Sequence, residues 1–220
     1  MEALQNEVAS KPVLVDLRQK LKEYDPPEVI RIESNLVAQD LWPEMLEQTK
    51  KDGYERGVVV FKKGDKIIKS RIFEGRMTED NAGSINDPFF VHGIRRPFLP
   101  RPKDIAFVHT HSMPPDMDHL KTTIISAKDI NIFARSSYNV VVAIDRGGVH
   151  MLAKRNKHVN EHIDGEIISD DAFAFAKKTD NSTDSVRKSM ARKLRANGYY
   201  YFYSPDLKSS PDGFLDLKRC

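Results

Sequence analysis

The chain has 220 residues, 40% of them hydrophobic and 30% charged, and its 35 Lys and Arg against 32 Asp and Glu leave a formal net charge of +3. That length suits one domain of ordinary to large size, or a core with appendages, and a hydrophobic core that needs no staples. The composition excludes a disordered chain, the small charge excess does not favour a nucleic-acid partner, and a single cysteine, Cys220, excludes an intramolecular disulfide and a cysteine-based zinc site.

The start, MEALQNEVASKPVLVDL, carries early acidic residues and no long apolar run, so no signal peptide is expected. No run approaches a membrane span, and the terminal LKRC is not a prenylation box. With one thiol, a reducing cytoplasm is the expected compartment.

Residues 12–24, PVLVDLRQKLKEY, place Val15, Leu17 and Leu21 roughly on one face and predict a modest amphipathic helix that DPP at 25–27 stops. EVIRIES reads as a short strand. DLWPEMLEQTKKDGY predicts a helix over about 41–51, with Trp42, Met45 and Leu46 inward and Gly53 past its end. Two β-rich runs around KKGDK then predict a hairpin. MTEDNAGSINDP reads as a polar loop, FFVHGIRR as a third strand, and FLPRPKD as an interruption. IAFVHTH is a short apolar run suited to a central buried strand. SAKDINIFARSS predicts a helix behind a serine cap, with Ile130, Phe133 and Ala134 inward. YNVVVAIDRGGVHMLAKR is a hairpin with strands at 138–144 and 149–154. Helices follow at 169–178 and 183–196, and then a strand in GYYYFY. This order predicts a helical arm over 1–40, an α/β core over 41–156 and a helical and β extension over 157–220. The expected fold is α/β (α+β), with a mixed central sheet flanked by helices.

In His109-Thr110-His111 the two imidazoles stand two residues apart, on one face of a strand, where both can reach one ion. Taken alone, such a pair is as readily a polar strand end. Asp129 changes the balance: it lies in the first turn of the next helix, three residues after Ser126. Two imidazoles and one carboxylate form a common catalytic zinc set with a fourth position open for water. Asp116, Asp118 and His119 are rival ligands, though none has a helix to hold it. A hydrolase also needs a group to move the water's proton, and Glu55, between helix and strand, is the candidate. Glu74 in FEGR is its rival.

These residues resemble a known family. Glu55-x-Gly57 opening a strand, His109-Thr-His111, and Ser126-x-x-Asp129 opening a helix look like the JAMM (JAB1/MPN/Mov34) metalloprotease signature, of the prokaryotic JAB type, over roughly residues 41–156. The resemblance implies an MPN-like (cytidine-deaminase-like) fold and zinc on His109, His111 and Asp129. It also implies Glu55 as general acid/base and Ser126 as oxyanion stabiliser. The implied activity is hydrolysis of peptide or isopeptide bonds in a protein or peptide substrate, often a ubiquitin-like protein. Ser112 stands where the family usually has proline, and the gap from His111 to Ser126 is longer than usual. The segment SMPPDMDHLKTTII therefore reads either as a substrate-facing insertion or as a sign that a carboxylate other than Asp129 is the ligand. Competing readings are a general JAB-type peptidase unrelated to ubiquitin, a catalytically silent scaffold of the same fold, and a nucleic-acid module using the basic helix VRKSMARKLR.

The remaining histidines, His92, His150, His158 and His162, have no partners at ligand spacing and are expected to be structural or solvated. RRPFLPRPK at 95–103 is expected to be a solvated loop or a rim for an acidic peptide. YYYFY is expected to pack its aromatics.

Overall fold

The computed structural model describes residues 13–19, 21, 26–75, 103–111, 124–145, 147–155, 159–208 and 211–220. β-Branched runs make the centre of the sheet. They form β3 (Arg56–Lys63) and β6 (Lys103–Thr110), which pair antiparallel with Gly57 opposite His109 and Val59 opposite Phe107. β6 then runs parallel to β7 (Val140–Asp145), which the chain reaches through helix α2 (Ala127–Arg135). β7 turns directly into β8 (Gly148–Lys154). That hairpin needs a glycine at 148. Its φ is 135°, and a Cβ would stand 2.2 Å from the Ser204 carbonyl oxygen.

β9 (Tyr199–Ser204), β10 (Phe214–Arg219), β2 (Val29–Glu33) and β1 (Val13–Leu14) continue the sheet beyond β8. β4 (Lys66–Lys69) lies at its other edge, and β5 (Phe73–Glu74) pairs with the start of β3. The order is β1-β2-β10-β9-β8-β7-β6-β3-β4. Parallel β1–β2 and β6–β7 pairs among antiparallel ones make it a mixed sheet, and it draws strands from all three segments of the chain.

Alternation along the strands divides the core into two apolar layers. Val58, Val60, Val108 and Val142 face helix α1 (Trp42–Asp52) and the buried Leu36 and Val37. Val59, Phe107, Val141 and Leu152 face α2, α3 (Gly165–Lys178) and α4 (Thr183–Ala196). Full burial of each such side chain contributes about 1.5–3 kcal/mol, so the middle strands are the hardest part of the molecule to open. The histidines sit at the end of one of them.

The strand expected at EVIRIES and the helix expected at 41–51 form, the latter with a proline in its first turn and Gly53 (φ 79°) closing it. The helix expected at 12–24 does not. Val13–Leu14 is a strand edge pairing with Ile30 and Arg31, a turn follows, and Leu17 is buried beneath. Pairing with β2 overrides a weak local periodicity. The regular structure described in 1–40 is thus β1, β2 and two short 3-10 turns, at Ser34–Val37 and Gln39–Leu41, not a helical arm. α3 begins earlier than expected, at Gly165, because the Asp164 carboxylate accepts the Glu166 and Ile167 N–H groups. The loop at 77–88 and the strand expected at FFVHGIRR lie outside the described residues. So does the basic stretch 95–103, apart from Lys103, which opens β6. Among the described residues, no helix is long and apolar enough to cross a membrane.

Candidate metal centre

The period of a strand sets the two histidines. His109 and His111 share a face of the sheet, while Thr110 turns to the other. There its hydroxyl oxygen meets Thr49 Oγ1 of α1 at 2.6 Å and accepts the Arg56 N–H at 2.8 Å. This bolt between α1, β3 and β6 escaped the sequence, because nothing in the order of residues pairs Thr49 with Thr110. His109 is 1% exposed, and its ring lies on Phe107 with centroids 5.0 Å apart and planes 10° apart. The His111 N–H donates to the Ile144 carbonyl at 3.0 Å, which keeps the strand end in the sheet.

Asp129 comes to the pair from α2. Ser126 caps that helix in a full capping box: its Oγ accepts the Asp129 N–H at 3.1 Å, and its own N–H donates to Asp129 Oδ2 at 3.1 Å. The Ser126 hydroxyl also donates to Oδ2, at 2.6 Å. Held this way, Asp129 places Oδ1 3.0 Å from His109 Nε2 and Oδ2 2.9 Å from His111 Nε2.

Burial disfavours charge on His111 and Asp129, but their pairings prevail. Desolvation opposes protonation of His111, yet the hydrogen bond and charge of Asp129, with smaller help from Glu55 and Asp145, push it up to about 9. Desolvation likewise opposes ionisation of Asp129, and the two imidazoles hold it well below the usual carboxylate range. His109 is different. Its Nε2 lies 3.0 Å from Asp129 Oδ1, but its buried Nδ1 has no hydrogen-bond partner among the described residues. A buried imidazole in that condition calls for an explanation, and a ligand role supplies one. The three ligand atoms lie within 4.8 Å of one another, so His109, His111 and Asp129 could hold a metal ion. The cation would take the place of the proton on His111.

The two candidate glutamates separate by face. β3 and β6 pair Gly57 with His109, and strand alternation directs Glu55, two residues before Gly57, to the histidines' face. Glu55 is half-buried, and its charge acts on His111. Glu74 lies opposite Arg56, on the face that Thr110 shares, with Oε2 3.2 Å from the Arg56 guanidinium. Asp52 at 2.5 Å and Gln48 at 3.1 Å hold that guanidinium from α1.

Of the other expected candidates, Asp116, Asp118, His119, His92 and His158 lie outside the described residues, as does the insertion up to residue 123. His162 is exposed. His150 is fully buried, and it does have partners: Asp145 Oδ2 at 3.3 Å from Nε2 and the Tyr201 hydroxyl at 2.8 Å from Nδ1. A signal for the first existed. The tight hairpin returns His150 to the face that Asp145 shares, and Ala143 pairs with both His109 and His150. Cys220 is half-buried against the α2–α3–α4 layer, and burial pushes its thiol up to about 12, which makes it a poor nucleophile.

Fold and site together define a mixed α/β protein with a buried His-His-Asp cluster at the end of a central strand. No protein-family model, curated protein or solved structure matches the chain.

Proposed function

We propose that this protein is a zinc-dependent hydrolase of peptide or isopeptide bonds, of the kind the JAMM metalloproteases represent. The observation that carries this reading is the placement of Asp129 against both His109 and His111, with Glu55 two residues before Gly57, the register partner of His109. When bound there, zinc would supply Lewis-acid polarisation of the scissile carbonyl and a water that ionises near neutrality.

The chain's own residues do the rest. Glu55 takes the water's proton and returns it to the leaving amine, a role that requires a carboxylate beside the ligands but outside the ligand set. Asp129 contributes negative charge, and its grip on both histidines keeps their Nε2 atoms convergent. Ser126 has one hydroxyl proton, and Asp129 Oδ2 holds it. Stabilising an oxyanion requires that O–H to turn toward the substrate while the Asp129 N–H keeps Oγ in place. Phe107 stacks on both His109 and Tyr138 and gives one side of the site an apolar wall. Protein or peptide tails, those of ubiquitin-like proteins first, are the proposed substrates.

Metal analysis with a cleavage assay tests the reading. Purified protein should carry about one zinc per chain, as a three-residue site demands, and His109→Ala should lose it. The metal-loaded protein should cut ubiquitin-like fusions or generic peptides. A chain that never takes up a divalent ion sinks the proposal. Stable metal with no cleavage of either substrate class favours the silent scaffold.

A further inference from the structure

On the same face of the sheet as the histidines lies a row of buried polar groups that the proposed chemistry does not use. Ala143 on β7 is the register partner of His109 on β6 and of His150 on β8. Asp145, two residues past Ala143, returns to that face. Asp145, His150 and Tyr201 are 1%, 0% and 1% exposed, so no solvent supports them. Asp145 Oδ2 lies 3.3 Å from His150 Nε2, and His150 Nδ1 lies 2.8 Å from the Tyr201 hydroxyl. The same hydroxyl oxygen accepts the Ile125 N–H over a long 3.4 Å. Ile125 is the residue before Ser126, the cap of α2.

One set of directions satisfies these bonds together. A Tyr201 oxygen that accepts from Ile125 has its proton to give to His150 Nδ1. The neutral imidazole then carries its proton on Nε2, facing the Asp145 carboxylate. Burial lowers the affinity of His150 for a second proton, in spite of Asp145, and this favours the neutral ring. Asp145 is itself oriented by the Gly147 N–H, which donates to Oδ1 at 2.6 Å. Nε2 and Oδ2 are close without completing a hydrogen bond among the described residues. Apolar side chains of the same volume would fill this part of the core equally well. What apolar side chains could not do is hold the main chain at Ile125.

We propose that Tyr201 and His150, oriented by Asp145, are positioning residues that hold the Ile125–Ser126 main chain and so, through the capping box, set Asp129 against His109 and His111. The part of this that concerns metal affinity rests on the reading of the cluster as a metal site. The part that concerns the start of α2 does not.

Tyr201→Phe removes only the hydroxyl. In metal-free protein, hydrogen exchange over residues 124–130 should quicken about tenfold relative to wild type, as expected for local loosening, while β6 and β7 keep their protection. Cobalt(II) should bind roughly ten- to a hundredfold more weakly, the usual effect of losing an outer partner of a metal ligand, and its visible spectrum should shift. If Tyr201→Phe does not fold, the volume-conserving Asp145→Asn takes its place in the same measurements, with the same direction expected. Unchanged exchange, affinity and spectrum in a folded variant overturn the proposal, even if its melting temperature falls, because such a loss would be structural only. Wild-type protein that binds no cobalt overturns the metal reading instead, and exchange over 124–130 then decides the positioning role alone.

Discussion

Gly165, the first residue of α3, meets Ala127, the first residue of α2, backbone against backbone: a Cβ at 165 would stand 2.2 Å from the Ala127 carbonyl oxygen. The Gly165 N–H also donates to Asn131 Oδ1 at 2.8 Å, so the two helices are joined two residues either side of Asp129. Gly165→Ala should therefore push α2 and α3 apart, since a backbone atom cannot swing away. Overpacking of this kind costs about 1–3 kcal/mol. Alanine's advantage in a helix recovers at most about 1 kcal/mol. A urea titration should show a net loss of stability, and a stabilised variant would show that the contact yields freely.

The opposite faces occupied by Glu55 and Glu74 separate their roles. Glu55→Gln should keep the bound metal and reduce turnover by about 10²–10⁴, the usual contribution of a general acid/base. Glu74→Gln loses an ion pair whose carboxylate is largely exposed and should leave turnover unchanged, with stability altered by less than about 1 kcal/mol. Metal content and rate measured on both variants check this. Full activity in Glu55→Gln would remove that residue from the mechanism.

Ser126→Ala removes the cap and one donor to Asp129 together. Loss of such a cap destabilises a protein by about 1 kcal/mol, within a range of about 0.5–2. With Oδ2 no longer held at 2.6 Å by the hydroxyl, metal affinity should fall as well. Chemical denaturation and chelator competition on the same preparation measure the two effects. A loss of stability with no loss of affinity would mean that the Ser126 N–H alone suffices to place the carboxylate.

Protons and metal should compete at His111. In the folded metal-free protein its pKa is raised from 6.5 to about 9. The stability it contributes is thus fully present below about pH 6.5 and is lost as pH rises through about 9. Asp129 is shifted the other way, so its contribution is present above the ordinary carboxylate pKa and is lost in acid. Urea midpoints of the metal-free protein should fall on the alkaline side as His111 loses its proton. Metal uptake must displace that proton, so apparent affinity should rise about tenfold per pH unit between about pH 7 and 9. A flat affinity profile across that interval would mean that His111 binds no proton there.

The sequence by itself determined the parts of this protein that are local. Two residues of strand set His109 and His111 on one face, and a Ser-x-x-Asp spacing sufficed for the capping box that presents Asp129, because both follow from the repeat of a single element. The DRGG hairpin and the helix at Trp42–Asp52 were legible for the same reason. Only the tertiary structure decided the rest. Val13–Leu14 pairs with β2 where a helix was expected, since a partner strand outweighs a weak periodicity. One sheet joins segments that the order of expected elements would divide, because β2 and β10 meet across most of the chain's length. The β3–β6 register separated Glu55 from Glu74: a shift of one residue would have exchanged their faces. Thr110 with Thr49, and His150 with Asp145 and Tyr201, stand on different elements, and their hydrogen bonds exist only because the packed sheet brings those elements within reach.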